Sequence, residues 1–264
     1  MSESTSPVRV RVDVTNPAHY FACCGLLEIA SRLKAETRGW FESDFFKISN
    51  SPALAVLVKT LTEAEFVMLD PNDGTASPIQ IPSPLNLRLD WWKTGDRASS
   101  DLKVWAGTME CFRIAKAMQA AMRKPEFSTE DLLNVAMVAR DPDDLIKKVE
   151  PFYFDARRGP NAHSRDVGFA PNDLGMTTIA SPAAELLCFI GLQRVRPVPV
   201  GKDNPRQFDY HVWTQPTPAL LAPVAAAGLL PDPHAKTYRF ESWYRTGQRK
   251  HKAFLSAKLQ PNIP

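Results

Sequence analysis

The spacing of apolar and polar residues changes period close to the start of the chain. Val8, Val10, Val12 and Val14 alternate with Arg9, Arg11 and Asp13, the two-residue period of a half-buried strand. From Ala18 the apolar positions recur every three or four residues. Ala18, Phe21, Ala22, Gly25, Leu26, Ile29, Ala30 and Leu33 make one face of a predicted helix. Asn16 is placed to cap its free amide groups, and Pro17 suits a first helical position, where no donor is needed. Gly25 inside a helix costs about 1 kcal/mol relative to Ala. Tight backbone packing, expected against the preceding strand, would offset that cost.

Ser181-Pro182-Ala183-Ala184-Glu185-Leu186-Leu187-Cys188-Phe189-Ile190-Gly191-Leu192 repeats this plan, with its Gly-Leu one residue later. Ser51-Pro52-Ala53-Leu54 opens a third apolar segment, a helix to about Ala64. Three ordinary capped helices and a duplicated βα unit both account for the echo.

Elsewhere Phe41 to Ile48, Glu65–Leu69, Ile79–Ile81, Leu85–Trp92 and Pro151–Asp155 read as strands. Leu102 to Met122 reads as a helix. Ser128-Thr129-Glu130-Asp131 resembles a capping box for a helix to Ala139, and Asp141-Pro142-Asp143-Asp144 a cap for another short one. Asp70-Pro71-Asn72-Asp73-Gly74 is turn chemistry. Phe208–Trp213 and Tyr238–Arg245 alternate as strands, with a short buried helix expected within 219–230. The pattern predicts an α+β protein of two βα-rich halves, residues 1–150 and 151–264, with antiparallel sheets.

Charge sharpens that division. The net charge of the 264 residues is only +3, but residues 1–150 carry −3 and residues 151–264 carry +6. Between 236 and 258 seven basic residues stand against one acidic residue, Glu241, a stretch able to track a polyanion. Arg245, Arg249, Lys250 and Lys252 are its candidate phosphate contacts. No apolar run reaches the roughly 18 residues of a membrane span, and the first residues lack the pattern of a signal peptide. Four cysteines in apolar helical contexts read as reduced core thiols. A cytoplasmic protein without membrane partners is the expectation.

Catalytic and cofactor signatures are missing: no phosphate-binding loop with Lys, no dinucleotide fingerprint, no nucleophile elbow, no zinc-binding His pair. No cofactor, metal site or catalytic residue is assigned; His163, three residues before Asp166, has a spacing common by chance. The stretch from Ala156 to Gly175 is longer than an ordinary connection and has no usable period. It holds Arg157, Arg158 and Arg165 with Asn172. Arginine forks suit phosphate oxygens and Asn can read a base edge; equally, Asp155, Asp166 and Asp173 offer the arginines internal partners. Both readings stand at this point.

Asn16-Pro17 through Tyr20-Phe21-Ala22-Cys23-Cys24-Gly25-Leu26-Leu27-Glu28 resembles the N-terminal signature of proteins from subtype I-U (I-G) CRISPR loci. Phe154-Asp155-Ala156-Arg157-Arg158, Gly168-Phe169-Ala170-Pro171-Asn172-Asp173 and Glu185 to Arg194 resemble later blocks of that group. The resemblance implies a non-enzymatic, large-subunit-like component of an RNA-guided effector complex. Guide RNA, target DNA and the other CRISPR-associated subunits would be its partners. At 264 residues the chain is short for a large subunit. The RRM-like, ferredoxin-fold family of repeat RNA-processing endoribonucleases is the alternative, without the Gly-rich C-terminal loop of those enzymes. An unrelated soluble interaction protein is the third reading.

Overall fold

A computed structural model describes residues 7–94, 100–106, 109–158, 179–245 and 251–261. The class is α+β, with antiparallel sheets. The predicted opening helix is α1, Pro17–Leu33, capped by the Asn16 side chain, which accepts from the Ala18 N–H. It does more than present one apolar face. Pro17 through Ala30 are buried without a break, as befits a helix that other elements surround on every side.

Strand β1 (Val8–Arg11) leads into α1, and a hairpin follows it, β2 (Arg38–Glu42) and β3 (Phe45–Ser49). The single strand expected over 41–48 is thus two strands. Ser43, at φ 53°, sits in the turn between them. β3 lies between β1 and β2, antiparallel to both. This is the split β-α-β plan of a ferredoxin-like unit, but the unit is not completed. Helix α2 (Leu54–Glu63) leads to β4 (Val67–Met68), which joins a separate sheet with β5 (Ile79–Ile81) and β6 (Leu87–Leu89).

Helix α3 (Cys111–Ala121) is shorter than the predicted 102–122, and residues 100–106 form no helix. Two other expectations give way to turns and strands. The stretch 128–139 forms turns that bury Leu132 and Leu133, followed by a bridge from Met137 to Ala180. Asp141–Asp144 closes a hairpin between β7 (Arg140–Asp141) and β8 (Asp144–Lys148). Pro151–Asp155 is a buried loop and not a strand.

The echo segment is α4, Pro182–Arg194, and it is the partner of α1. The preceding strand is not what Gly25 packs against. A Cβ on Gly25 would stand 2.1 Å from the Leu187 carbonyl oxygen, and one on Gly191 would stand 2.0 Å from that of Phe21. Each glycine faces the carbonyl four residues before the other glycine, so the two backbones touch through a matched pair of missing side chains. The helices run parallel. Asn16 and Ser181, at their starts, both lie at Asp155, and Glu28 and Arg194, near their ends, form an ion pair.

Thr217–Pro218 form β11, beside β2 at the edge of the first sheet. The last sheet holds β9 (Val198–Pro199), β10 (Gln207–Val212), β12 (Lys236–Tyr244), β13 (Lys252–Phe254) and β14 (Lys258–Leu259), with α5 (Ala222–Ala226) preceding β12. Its inward rings meet α1, where Tyr20 stacks on Tyr210 at 4.2 Å; on its other side Tyr20 stacks on Phe41 of β2 at 5.1 Å. Around α4, Phe189 packs with Trp92, Trp105 and Phe152. One hydrophobic cluster runs from Val10 to Ala257. The α1–α4 seam and the β2–β11 pair both cross residue 150, so the halves suggested by charge share a core. Among the described residues no helix is long and apolar enough to cross a membrane.

Candidate nucleic-acid interface

The Arg-rich segment begins at the joined ends of α1 and α4. Tyr153, at φ 73°, takes a left-handed conformation uncommon for a bulky residue and turns the chain inward. Asp155 is fully buried there. Asn16 Nδ2 donates to its Oδ1 at 2.8 Å, while Asn16 Oδ1 accepts from the Ala156 N–H. Glu185, on the first turn of α4, accepts the N–H groups of Phe154 and Asp155.

Arg157 closes the cluster. Its Nε donates to Asp155 Oδ1 at 2.8 Å and its Nη2 to Oδ2 at 2.7 Å. Nη2 also reaches the Leu133 carbonyl and Ser181, and Nη1 reaches Asn134. Burial raises the Asp155 carboxyl, but the hydrogen bonds and charge of Arg157, with Asn16 and Ser181, bring it down to about 2. Burial, then the charge of Asp155, pushes Glu185 up to about 8 against its backbone donors. Burial, then the charge of Arg157, pushes His19 down to about 4, so its ring is neutral near pH 7.

The geometry therefore gives Arg157 the internal occupation, with Asp155 as its partner, and leaves no free fork for a phosphate. Arg158 also turns inward. Its Nη2 lies 3.4 Å from Ser181 Oγ and its Nε 3.8 Å from Asp155. Arg165, Asn172 and His163 lie outside the described residues, as do Arg249 and Lys250.

Arg245 does not belong to an exposed tail either. It is 6% exposed. Its guanidinium carbon sits 3.5 Å above the Tyr153 ring, its Nε donates to the Lys252 carbonyl at 3.0 Å, and Glu150 is 3.8 Å away. It braces the end of β12 against the buried loop.

Lys252 opens outward from this brace. Its N–H donates to the Val104 carbonyl, which ties β13 to the 100–106 segment, and its Nζ donates to the Asp101 carbonyl at 2.6 Å. Burial lowers its pKa to about 8. Nearby Asp101 opposes that shift, and the positive charges of Lys103 and Arg206 add to it. Burial also lowers Lys103, whose ammonium lies 5.4 Å from the centre of the Trp105 ring. Arg206, just before β10, holds its guanidinium carbon 4.7 Å from the Trp243 ring centre and 5.5 Å from that of Tyr244. Its nearest carboxylate, Glu241, is at 4.0 Å, the limit of an ion pair.

Lys103, Arg206 and Lys252 thus form a corner of like charge. Among the described residues no carboxylate lies within ion-pair distance of either lysine. Mutual repulsion and desolvation disfavour such a cluster, and an anion in contact with it reverses both effects. Of this corner the sequence pattern marked only Lys252. Lys103 sat among positions assigned to a helix surface, and Arg206 lay outside the basic stretch. Their convergence needs the Lys252–Val104 and β10–β12 pairings, which join segments far apart in the chain. Among the described residues no group of His, Cys, Asp and Glu is placed to hold a metal ion. No protein-family model, no curated protein and no solved structure matches the chain.

Proposed function

We propose that this chain is a non-enzymatic, nucleic-acid-binding subunit of an RNA-guided effector complex of the subtype I-U (I-G) CRISPR group that its sequence resembles. In this reading it grips the sugar-phosphate backbone of guide RNA or target DNA, with other subunits of the complex as protein partners. One observation carries the binding role. Arg206 and the buried Lys103 both stand within electrostatic reach of Lys252, Arg206 lies beside two aromatic rings, and among the described residues neither lysine is paired to a carboxylate. Phosphate oxygens suit a corner whose cations outnumber their close carboxylate partners, and arginine and lysine are the side chains suited to them. The reading rests on this corner and leaves Arg157 to the fold.

The test is the salt dependence of binding. Each phosphate contact contributes a slope of about 0.7 for single strands and about 0.9 for duplex DNA in log affinity against log salt. Replacing Lys103, Arg206 and Lys252 together by Ala is expected to flatten the slope by about 2 and to weaken binding across unrelated sequences. An unchanged slope in the folded triple variant refutes the assignment.

A further inference from the structure

Five of the six tryptophans are accounted for by packing. Trp91, Trp92, Trp105 and Trp213 are buried and Trp40 is half-buried against the core. Trp243 is not: it is 41% exposed, and it is the one aromatic ring among the exposed large hydrophobic side chains of the described residues; the others are aliphatic. It lies near the end of β12, opposite Ala253 on β13. A methyl group as cross-strand neighbour leaves much of the indole uncovered. The exposed part of the ring contributes nothing to folding, and β12 already anchors itself through Tyr238 and Phe240 on its inward side.

What stands beside the indole gives it a use. Arg206 lies over the ring, while Lys252, paired with Tyr244 and one residue before Ala253, belongs to the other face of the sheet. A flat apolar face next to cations is the pairing that holds a base and its flanking phosphates together. Duplex bases already stack on one another and offer no free face, whereas an unpaired base offers two. Resting on the nucleic-acid reading above, we infer that Trp243 is a stacking platform for an unpaired nucleotide, so that the corner selects single-stranded over duplex nucleic acid. Arg206, over the same ring, takes an adjoining phosphate. Stacking tolerates any base, so the site has little sequence preference, and the ring face does not distinguish RNA from DNA.

The experiment uses the full chain with fluorescently labelled oligo-dT and oligo-rU of about 15 nucleotides and a duplex of matched length. The wild-type chain is expected to bind one or both single strands more tightly than the duplex. Trp243→Ala should weaken single-strand binding about tenfold and leave duplex binding unchanged, and Trp243→Phe should recover most of the loss. Single-strand binding should quench tryptophan emission in the wild type and quench it less in Trp243→Phe. Comparable melting of all three proteins establishes that the fold is intact. Binding that is equal for single strand and duplex, or unchanged in Trp243→Ala, overturns the inference while the cation corner keeps its role. Failure of the wild type to bind any of the probes overturns both.

Discussion

Gly25→Ala puts a methyl group into the α1–α4 seam. Its ideal position is 2.1 Å from the Leu187 carbonyl oxygen and 3.0 Å from the Gly191 nitrogen. Ordinary contact needs about 3.4 Å, and the obstacle is helix backbone, which cannot swing aside as a side chain can. The helices must separate by about 1 Å, a gap at which neighbouring contacts lose a quarter to a half of their attraction. Overpacking of this kind costs about 1–3 kcal/mol, occasionally more. Against it, Ala favours the helix over Gly by about 1 kcal/mol. Because backbone meets backbone, we expect the upper end of the cost and a net loss of about 2 kcal/mol. For a chain of this size that corresponds to about 4–8 °C in Tm. Thermal melting and the urea midpoint both read it. Gly191→Ala should behave alike, and the double variant should lose less than the sum, since the first methyl has already opened the seam. Gly74→Ala is the control, because there the added methyl meets only the movable Glu110 side chain at 3.3 Å. A Gly25→Ala protein as stable as wild type, or more so, refutes the seam, for that is what helix propensity alone predicts.

Arg157→Ala removes the forked partner of a buried carboxylate. Breaking a fully buried pair costs about 3–5 kcal/mol, but the Arg157 side chain is 37% exposed, so water softens the loss to about 2 kcal/mol; an unchanged urea midpoint would show the pair contributes nothing. The two buried carboxyls also shape stability against pH. Glu185, raised to about 8 in the fold, contributes stability below its unfolded value near 4.5 and loses it as pH rises to about 8. Asp155, lowered to about 2, contributes above 3.8 and loses it as pH falls toward 2. Glu185→Gln should therefore flatten the decline between about pH 5 and 8 while leaving the acid arm in place. A decline of the same steepness in the variant would place its origin in other groups.

The elements with strong local signals were legible. Asn16-Pro17 and Ser181-Pro182 start the two central helices, and the alternation over 208–213 and 238–245 marks, within one or two residues, the paired strands β10 and β12. What failed depended on distant partners. Ser128-Thr129-Glu130-Asp131 has local capping chemistry, but Arg157 takes the Leu133 carbonyl and Met137 pairs with Ala180, so backbone bonds of the segment go to distant partners. Pro151–Asp155 is apolar enough for a strand, yet Glu185 takes its N–H groups and Tyr153 turns it. The candidate site divides in the same way. Arginines beside an aspartate fit either an external phosphate or an internal pair, and burial of Asp155 between two helix starts settles which. Arg245 reads as part of a basic tail until the Tyr153 ring appears beneath it. Lys103 and Arg206 are some hundred positions apart in the chain, and no period or composition joins them.

Two parallel helices in close contact carry an electrostatic burden. Each has a partial positive charge at its start and a partial negative one at its end, and parallel packing sets like ends side by side. The charged side chains answer this at both ends. Asp155 sets its carboxylate against the caps of both starts, with Arg157 as its ion-pair partner, and Arg32 and Arg194 close on Glu28 near the two ends, leaving a net positive charge there. The seam thus carries a carboxylate in contact with both helix starts and guanidinium groups near both helix ends, the signs that the peptide dipoles favour. Asparagine at position 155 would preserve the shape and most of the hydrogen bonds, but would leave the Arg157 guanidinium and the two helix starts without the carboxylate that they share.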